Sequence, residues 1–391
     1  MNVCPKTAIQ MKPDEFGFLY PEIDSGLCVE CGACRRACGY QRPDGMSLPE
    51  KSYAATVKSD EMLKHSASGG VAALLSQCVV QSGGIVYGAA LVDEDGKMVP
   101  KHVRVTEEAD LEALQGSKYV QSDIGYVYRE VKADLLAHRT VLFTGTPCQV
   151  AGLKAFLNAD YDSLYTAEII CHGVSSARFF QDFIAAYEQK LGGHITRFLF
   201  RDKSKGQGMT ARAEVAYASR PVREVVKAGE TLSYICLFLK SHTYRENCYS
   251  CPYAQEKRTA DLTLGDFWGF HEEYPRVTAQ SGFSNSKGIS CVLVNRERGQ
   301  RLLEQCRTQL YIMETDFEKI SRHNEQLCHP SSFSSQRNEI LTLYRDGGYP
   351  KVEAYFQKNF RMERMKGRLS GILPKGLKRL LKRTVARGKN R

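Results

Sequence analysis

The chain has 391 residues, 42% hydrophobic and 25% charged, with 14 Cys and a net charge of +10. This length predicts two or three domains with ordinary cores, and the composition excludes a disordered or collagen-like chain. No run approaches the ~18 apolar residues of a membrane span and residues 1–6 lack a signal peptide's apolar region, so a cytoplasmic protein with reduced thiols is expected.

Residues 1–46 are rich in Cys and Pro and close on the turn signal Arg42-Pro43-Asp44-Gly45. From residue 53 the pattern alternates. Strands are predicted over 53–58, 85–92, 140–143 and 166–170, and helices over 69–81, 124–137, 149–157 and 177–189. That alternation is the α/β signature. After about residue 195 the chain reads as more β-rich, with strands over 195–200, 213–217 and 288–294, while the apolar run 232–239 has the length of a core strand. No repeat of 20 to 50 residues is present.

The densest chemical signal is Cys28-x-x-Cys31-x-x-Cys34-x-x-x-Cys38. Small residues Gly32 and Ala33 let three thiolates wrap one face of an iron-sulfur cubane. Cys4-Pro5 reads as the end of a preceding run, so Cys4, Cys28, Cys31 and Cys34 complete one 4Fe-4S cluster. Cys38 then belongs to a second ferredoxin-type cluster whose other ligands would lie upstream of Met1; either the chain continues upstream or that cluster has been lost. Zinc is the alternative, but zinc knuckles usually come as separated Cys-x-x-Cys pairs.

Four further Cys lie in loop-like contexts: Cys148 after Pro147, Cys171 before His172-Gly173, and the pair Cys248 and Cys251 before Pro252. They suit a second cluster built from scattered segments, a zinc site, or ordinary thiols. Cys78, Cys236, Cys291, Cys306 and Cys328 sit among apolar or helical neighbours and read as core thiols.

Two glycine loops open into helices. Ser66-Ala67-Ser68-Gly69-Gly70 precedes one helix and Thr144-Gly145-Thr146-Pro147 leads to the helix that includes Gln149. Amides at a helix N-terminus bind phosphate, although Ser and Gly also mark plain caps. With Gly116-Ser117-Lys118-Tyr119, whose Lys suits a phosphate or a flavin carbonyl, they suggest a dinucleotide pocket. A flavin beside a cluster is chemically sensible, because it converts single electrons to the pairs that organic substrates take.

Several runs together resemble the coenzyme F-420 hydrogenase/dehydrogenase beta-subunit family: residues 66–70, 116–122 and 144–152, Cys171-His172-Gly173-Val174, Cys248-x-x-Cys251-Pro252, and residues 261–269. The resemblance covers residues 1 to about 310, with domains at 1–46 (ferredoxin-type), 52–138 and 139–320. It implies an α/β fold, FAD, iron-sulfur clusters and oxidoreductase activity. It also implies the second cluster at Cys148, Cys171, Cys248 and Cys251, with Asp266 and Trp268 near the cofactors. The plainer reading of that last pair is a turn with a buried aromatic. Three features depart from the pattern: Gly39 follows Cys38 where Pro is usual, the upstream Cys run is missing, and residues 361–391 have no counterpart.

Residues 361–391 carry twelve Lys and Arg against one acid, Glu363, leaving 42 basic and 43 acidic side chains elsewhere. The body is therefore neutral, with no general affinity for nucleic acid. Leu373, Leu377, Leu380, Leu381 and Val385 recur at helical spacing in this tail. Such a helix suits peripheral contact with the inner membrane face; the alternative is a solvated tail for an acidic partner.

The function expected is a flavin- and iron-sulfur-dependent oxidoreductase. It would take electrons from ferredoxin or another redox protein and exchange a hydride with a small-molecule substrate; family association points to polysaccharide biosynthesis. The alternative is an electron-transfer subunit without its own substrate, docked on a catalytic partner. A zinc-stabilised scaffold is disfavoured by the dense Cys spacing and the neutral body.

Overall fold

The computed structural model describes residues 1–40, 45–278 and 281–372. The chain opens with an antiparallel hairpin of β1 (Ile9–Pro13) and β2 (Leu19–Ile23), in which Ile9 faces Ile23. Its turn is held by Asp14, whose Oδ1 accepts from the Phe16 and Phe18 N–H groups at 3.0 and 2.8 Å. The Cys-rich loop follows, ending in the short helix Ala33–Arg36.

Strands β3 (Lys51–Val57), β4 (Ile85–Glu94), β5 (Lys97–Val105), β6 (Val141–Gly145) and β7 (Leu164–Ile169) enter the main sheet. A separate three-stranded antiparallel sheet is formed by β8 (His194–Leu199), β9 (Thr210–Tyr217) and β10 (Arg220–Ala228). The chain then returns to the main sheet with β11 (Leu262–Asp266), β12 (Ser290–Val294) and β13 (Leu310–Thr315), giving the order β13-β3-β12-β11-β7-β6-β4-β5. At its centre β11, β7, β6 and β4 run parallel, with antiparallel strands on either side.

The cause is visible in β6. Val141, Leu142 and Phe143 are all fully buried, an unbroken apolar run that suits a strand covered on both faces. Leu142 and its neighbours Val86 and Leu264 pack under the helices Val71–Gln81 and Glu297–Cys306. Val141, Phe143 and Tyr87 pack under Val127–Leu136 and Pro147–Leu157 on the other face. A third cluster, dense in aromatics, joins the helices Ala177–Leu191, Ser233–Leu239 and Arg337–Asn359 to β8 and β9.

The α/β expectation holds, and the predicted strands and helices appear with shifts of a few residues at their ends. Leu232 to Leu239 is a correction: it forms the helix Ser233–Leu239, with residues 233–238 all buried. An apolar run buried on every side carries no period that separates strand from helix. The expected core thiols divide as well, since Cys236, Cys291 and Cys306 are buried, Cys78 is half-buried and Cys328 is exposed. The sequence pattern does not mark strands β1, β2, β5, β10, β11 and β13. The described tail forms the helix Arg361–Ile372, and Leu373, Leu377, Leu380, Leu381 and Val385 lie outside the described residues.

Candidate iron-sulfur and redox site

The first thiol set is local. Cys4, Cys28, Cys31 and Cys34 line one cavity of about 310 Å³ whose walls include Ala8, Ile9, Ile23 and Val29. Gly32 reverses the loop with φ +69, a left-handed conformation that favours glycine. The Ala8 N–H donates to Cys4 Sγ at 3.3 Å. Burial pushes the Cys4 thiol up, but the N–H groups of Ala8, Lys6 and Thr7 bring it below its ordinary value. Four thiols around one apolar-walled cavity, with an N–H donor aimed at sulfur, fit a cubane cluster. Cys38 does not line this cavity.

Gly39 explains the departure at Cys38. A Cβ there would stand 3.0 Å from Gly152 N and 3.1 Å from the Ala151 carbonyl carbon, in the helix that carries Cys148. Tyr253 Oη donates to the Gly39 carbonyl, so the segment is seated on the loops of the second thiol set. Arg245 also fastens it: its guanidinium lies 4.0 Å from the Tyr20 ring centroid and donates to Leu19 O at 2.9 Å. The same residue's carbonyl accepts from the Cys248 N–H at 2.9 Å. Arg178 reaches the carbonyl of Glu15 in the hairpin turn.

The second set is assembled from distant segments. Cys148 begins the helix Pro147–Leu157, Cys171 follows β7, and Cys248 and Cys251 lie in and beside the turn Glu246–Ser250. Burial raises the Cys171 thiol well above its ordinary value, and the neighbouring Cys248, Cys148 and Cys251 raise it further. Cys248 is pushed up to about 12 by burial and then by Cys148. The four thiols are thus within electrostatic reach of one another. Cys148 is the solvent-exposed member of the set. Among the described residues no three Cys, His, Asp or Glu side chains converge as ligands of a single ion do. Four thiols that interact with one another match the ligand set of a cubane.

Two features hold these loops. Gly173 has φ +142, and a Cβ there would overlap the Tyr244 ring. Ala at position 173 is therefore expected to lower the unfolding free energy by about 3 kcal/mol, through backbone strain and overpacking. Unchanged thermal unfolding of Gly173→Ala would contradict this. The other feature is a buried ion pair. Glu168 on β7 accepts from Arg258 Nε at 2.6 Å, and Arg258 Nη1 donates to the carbonyls of Tyr253 and Gln255 at 3.1 and 2.9 Å, just past Cys251.

The carboxyl ends of β6, β7 and β11 meet on one edge of the sheet, where open α/β sheets bind ligands. Asp266 ends β11, forks with Arg201 (Nη2 to Oδ1 3.2 Å) and accepts from Gln207 Nε2 at 2.6 Å. Arg201 lies 5.4 Å from the Trp268 ring centroid. Burial raises the Tyr119 phenol, on which Arg201 and Asp266 also act electrostatically, and its Oη donates to Met209 Sδ at 3.4 Å; Ser117 stands two residues before it. Trp268 is 36% exposed, so the buried aromatic of this turn is Phe267. Gln207 Oε1 is buried without a hydrogen-bond partner among the described residues.

The glycine loops are largely engaged with the sheet. The Gly69 N–H donates to Ser290 Oγ at 2.9 Å, Ser68 Oγ to Ile289 O at 3.0 Å, and Ser66 Oγ to Met62 O at 2.7 Å. Gly70 caps the next helix with φ +82. Thr144 Oγ1 donates to Tyr87 O at 3.1 Å. After Gly145, the Thr146 N–H donates to Gln149 Oε1 at 3.0 Å and Thr146 Oγ1 lies 3.1 Å from Cys148 Sγ. Burial lowers Lys118 to about 7, with its Nζ donating to the carbonyls of Ala113 and Gln115, each at 2.8 Å. Lys203, not singled out by the sequence, grips Leu63, Ser68 and Lys287 carbonyls at 3.0, 2.5 and 2.6 Å. The run Arg201-Asp202-Lys203 at a strand's end was the only signal for Arg201 and Lys203.

Residues 52–128 match the family model for the N-terminal part of the coenzyme F420 hydrogenase/dehydrogenase beta subunit, and residues 138–320 match the model for its C-terminal part. No curated protein sequence matches the chain. Among solved structures, a chain of the F420-reducing [NiFe] hydrogenase complex from Methanosarcina barkeri is similar. It shares 16% identity over 79% of this chain and 90% of its own length, with a TM-score of 0.43. The chain belongs to the coenzyme F420 hydrogenase/dehydrogenase beta-subunit family, whose members are iron-sulfur electron-transfer oxidoreductase subunits.

Proposed function

We propose that Cys4, Cys28, Cys31 and Cys34 hold one 4Fe-4S cluster, and Cys148, Cys171, Cys248 and Cys251 a second. FAD would lie at the carboxyl ends of β6, β7 and β11, and exchange a hydride with an organic substrate. When bound, the clusters supply single-electron transfer and the flavin converts it to two-electron chemistry. The chain's own part is to hold these groups in sequence and exclude water between them. Contiguity carries the reading: Gly39 and Arg245 join the first thiol segment directly to the loops of the second. Asp266 in turn acts electrostatically on His172, the residue after Cys171.

Arg201 and Asp266 would orient the flavin or its substrate, with the indole of Trp268 alongside. Asp266→Asn leaves the Arg201 side chain, 4% exposed, without its counter-charge. Arg201 would then be free to turn away from the position in which it would orient the flavin, so FAD affinity should fall at least roughly tenfold. The check is anaerobic purification, acid release of flavin and titration of FAD into both proteins. A wild-type preparation that takes up no FAD would end the flavin reading, and equal affinity in the variant would remove Asp266 from it.

An electron-transfer subunit without its own substrate is the second reading, favoured by one observation. Cys31 is exposed, and Ile23, Leu27 and Val29 beside the first cavity are 50%, 51% and 58% exposed, an apolar rim suited to a redox partner. Turnover of small molecules by the isolated reduced protein separates the two.

A further inference from the structure

We propose that the outward face of the helix Arg361–Ile372 docks on an anionic phospholipid membrane, lying in the plane of the interface. One side of this helix is fixed to the body. Gly367 is buried, with Thr231 Cγ2 only 2.8 Å from where a Cβ would stand. Glu363 pairs with Lys240 at 3.1 Å, and Arg364 donates to Gln357 O at 2.8 Å. The opposite side carries an apolar stripe that no other described residue covers. Met362, Met365 and Leu369 are 61%, 46% and 53% exposed, and their spacing of three and four residues puts them on one face.

Charge selects the occupant. On a helical projection Lys366 flanks the stripe on one side and Arg361 and Arg368 on the other, all exposed. The segment's one acid, Glu363, is turned inward to Lys240. Residues 373–391 add eight more Lys and Arg and no acid. An apolar stripe between basic flanks matches an anionic leaflet, which takes the side chains below its headgroups and the cations at their level. A nucleic acid or an acidic protein would answer the charges and leave Met362, Met365 and Leu369 in water. No described helix is long and apolar enough to cross a membrane, so contact would be by this face.

The test is co-sedimentation of the full chain with vesicles of phosphatidylglycerol and phosphatidylcholine, against phosphatidylcholine alone. The comparison protein is the full chain carrying Met362→Ser, Met365→Ser and Leu369→Ser. These side chains are exposed, so the fold should persist, which thermal unfolding verifies. The wild-type chain should bind the anionic vesicles and not the neutral ones, and the triple variant should bind roughly tenfold more weakly or less. Three results would overturn the proposal: no binding to anionic vesicles, equal binding by the triple variant, or stronger binding to single-stranded RNA or polyglutamate than to the vesicles.

Discussion

Cys248→Ala is expected to remove about four of eight iron atoms per chain while leaving the spectrum of the remaining cluster intact, and Cys34→Ala to do the converse. The expectation rests on the separation of the two thiol sets. Cys34 lines a cavity formed by residues 4–35 alone, so its loss empties a site that shares no ligand with the other. Cys148 and Cys251 act electrostatically on Cys248, which in turn influences Cys171, so removing it leaves three thiols in the loop cluster. Buried thiols resist ionisation without a metal to hold the thiolate. Three-thiol sites also lose the closed coordination that stabilises a cubane. Iron and acid-labile sulfide assays with low-temperature electron paramagnetic resonance read both outcomes. Loss of all iron from either variant would mean that the sets are not independent.

Glu168→Ala should be among the most destabilising single substitutions in the protein, at about 3–5 kcal/mol, because it strands a buried guanidinium. The Arg258 side chain is 1% exposed and that of Glu168 fully buried, with 2.6 Å between Nη2 and Oε1. Glu168 Oε1 also accepts from Thr263 Oγ1 at 3.0 Å, and Oε2 from the Thr259 and Ala260 N–H groups at 3.3 and 3.1 Å. All of these donors lose their acceptor at once. Arg258 would still bind the Tyr253 and Gln255 carbonyls, but its charge would be uncompensated. Pairing Glu168→Leu with Arg258→Met removes both charges and should recover most of the loss. Side-by-side unfolding of the single and double variants decides: a single variant within 1 kcal/mol of wild type would mean that the pair contributes little.

The same pair shows where sequence reading stops. Arg258 and Glu168 look like two surface charges 90 positions apart, and their meeting depends on the intervening chain folding as it does. Arg201 and Asp266, 65 residues apart, are hidden in the same way. Local signals were legible. The apolar run at 140–143 reads as a strand, and the spacing of Cys28, Cys31 and Cys34 as a tight loop whose thiolates converge. Gly39 was legible only as a departure; its reason is the backbone of residues 151 and 152, which no spacing reveals. The 232–239 run failed for the opposite cause, since full burial erased its period. Cys328 sits at the end of a short helical turn, Glu325–Leu327, where apolar neighbours in sequence did not become neighbours in space.

Eight of the fourteen cysteines are proposed to form two complete and separate cluster sites. The iron and acid-labile sulfide content of the full chain purified without oxygen decides this. Two cubanes predict about eight of each per chain, with no zinc. About four of each, or zinc in place of iron, would contradict it.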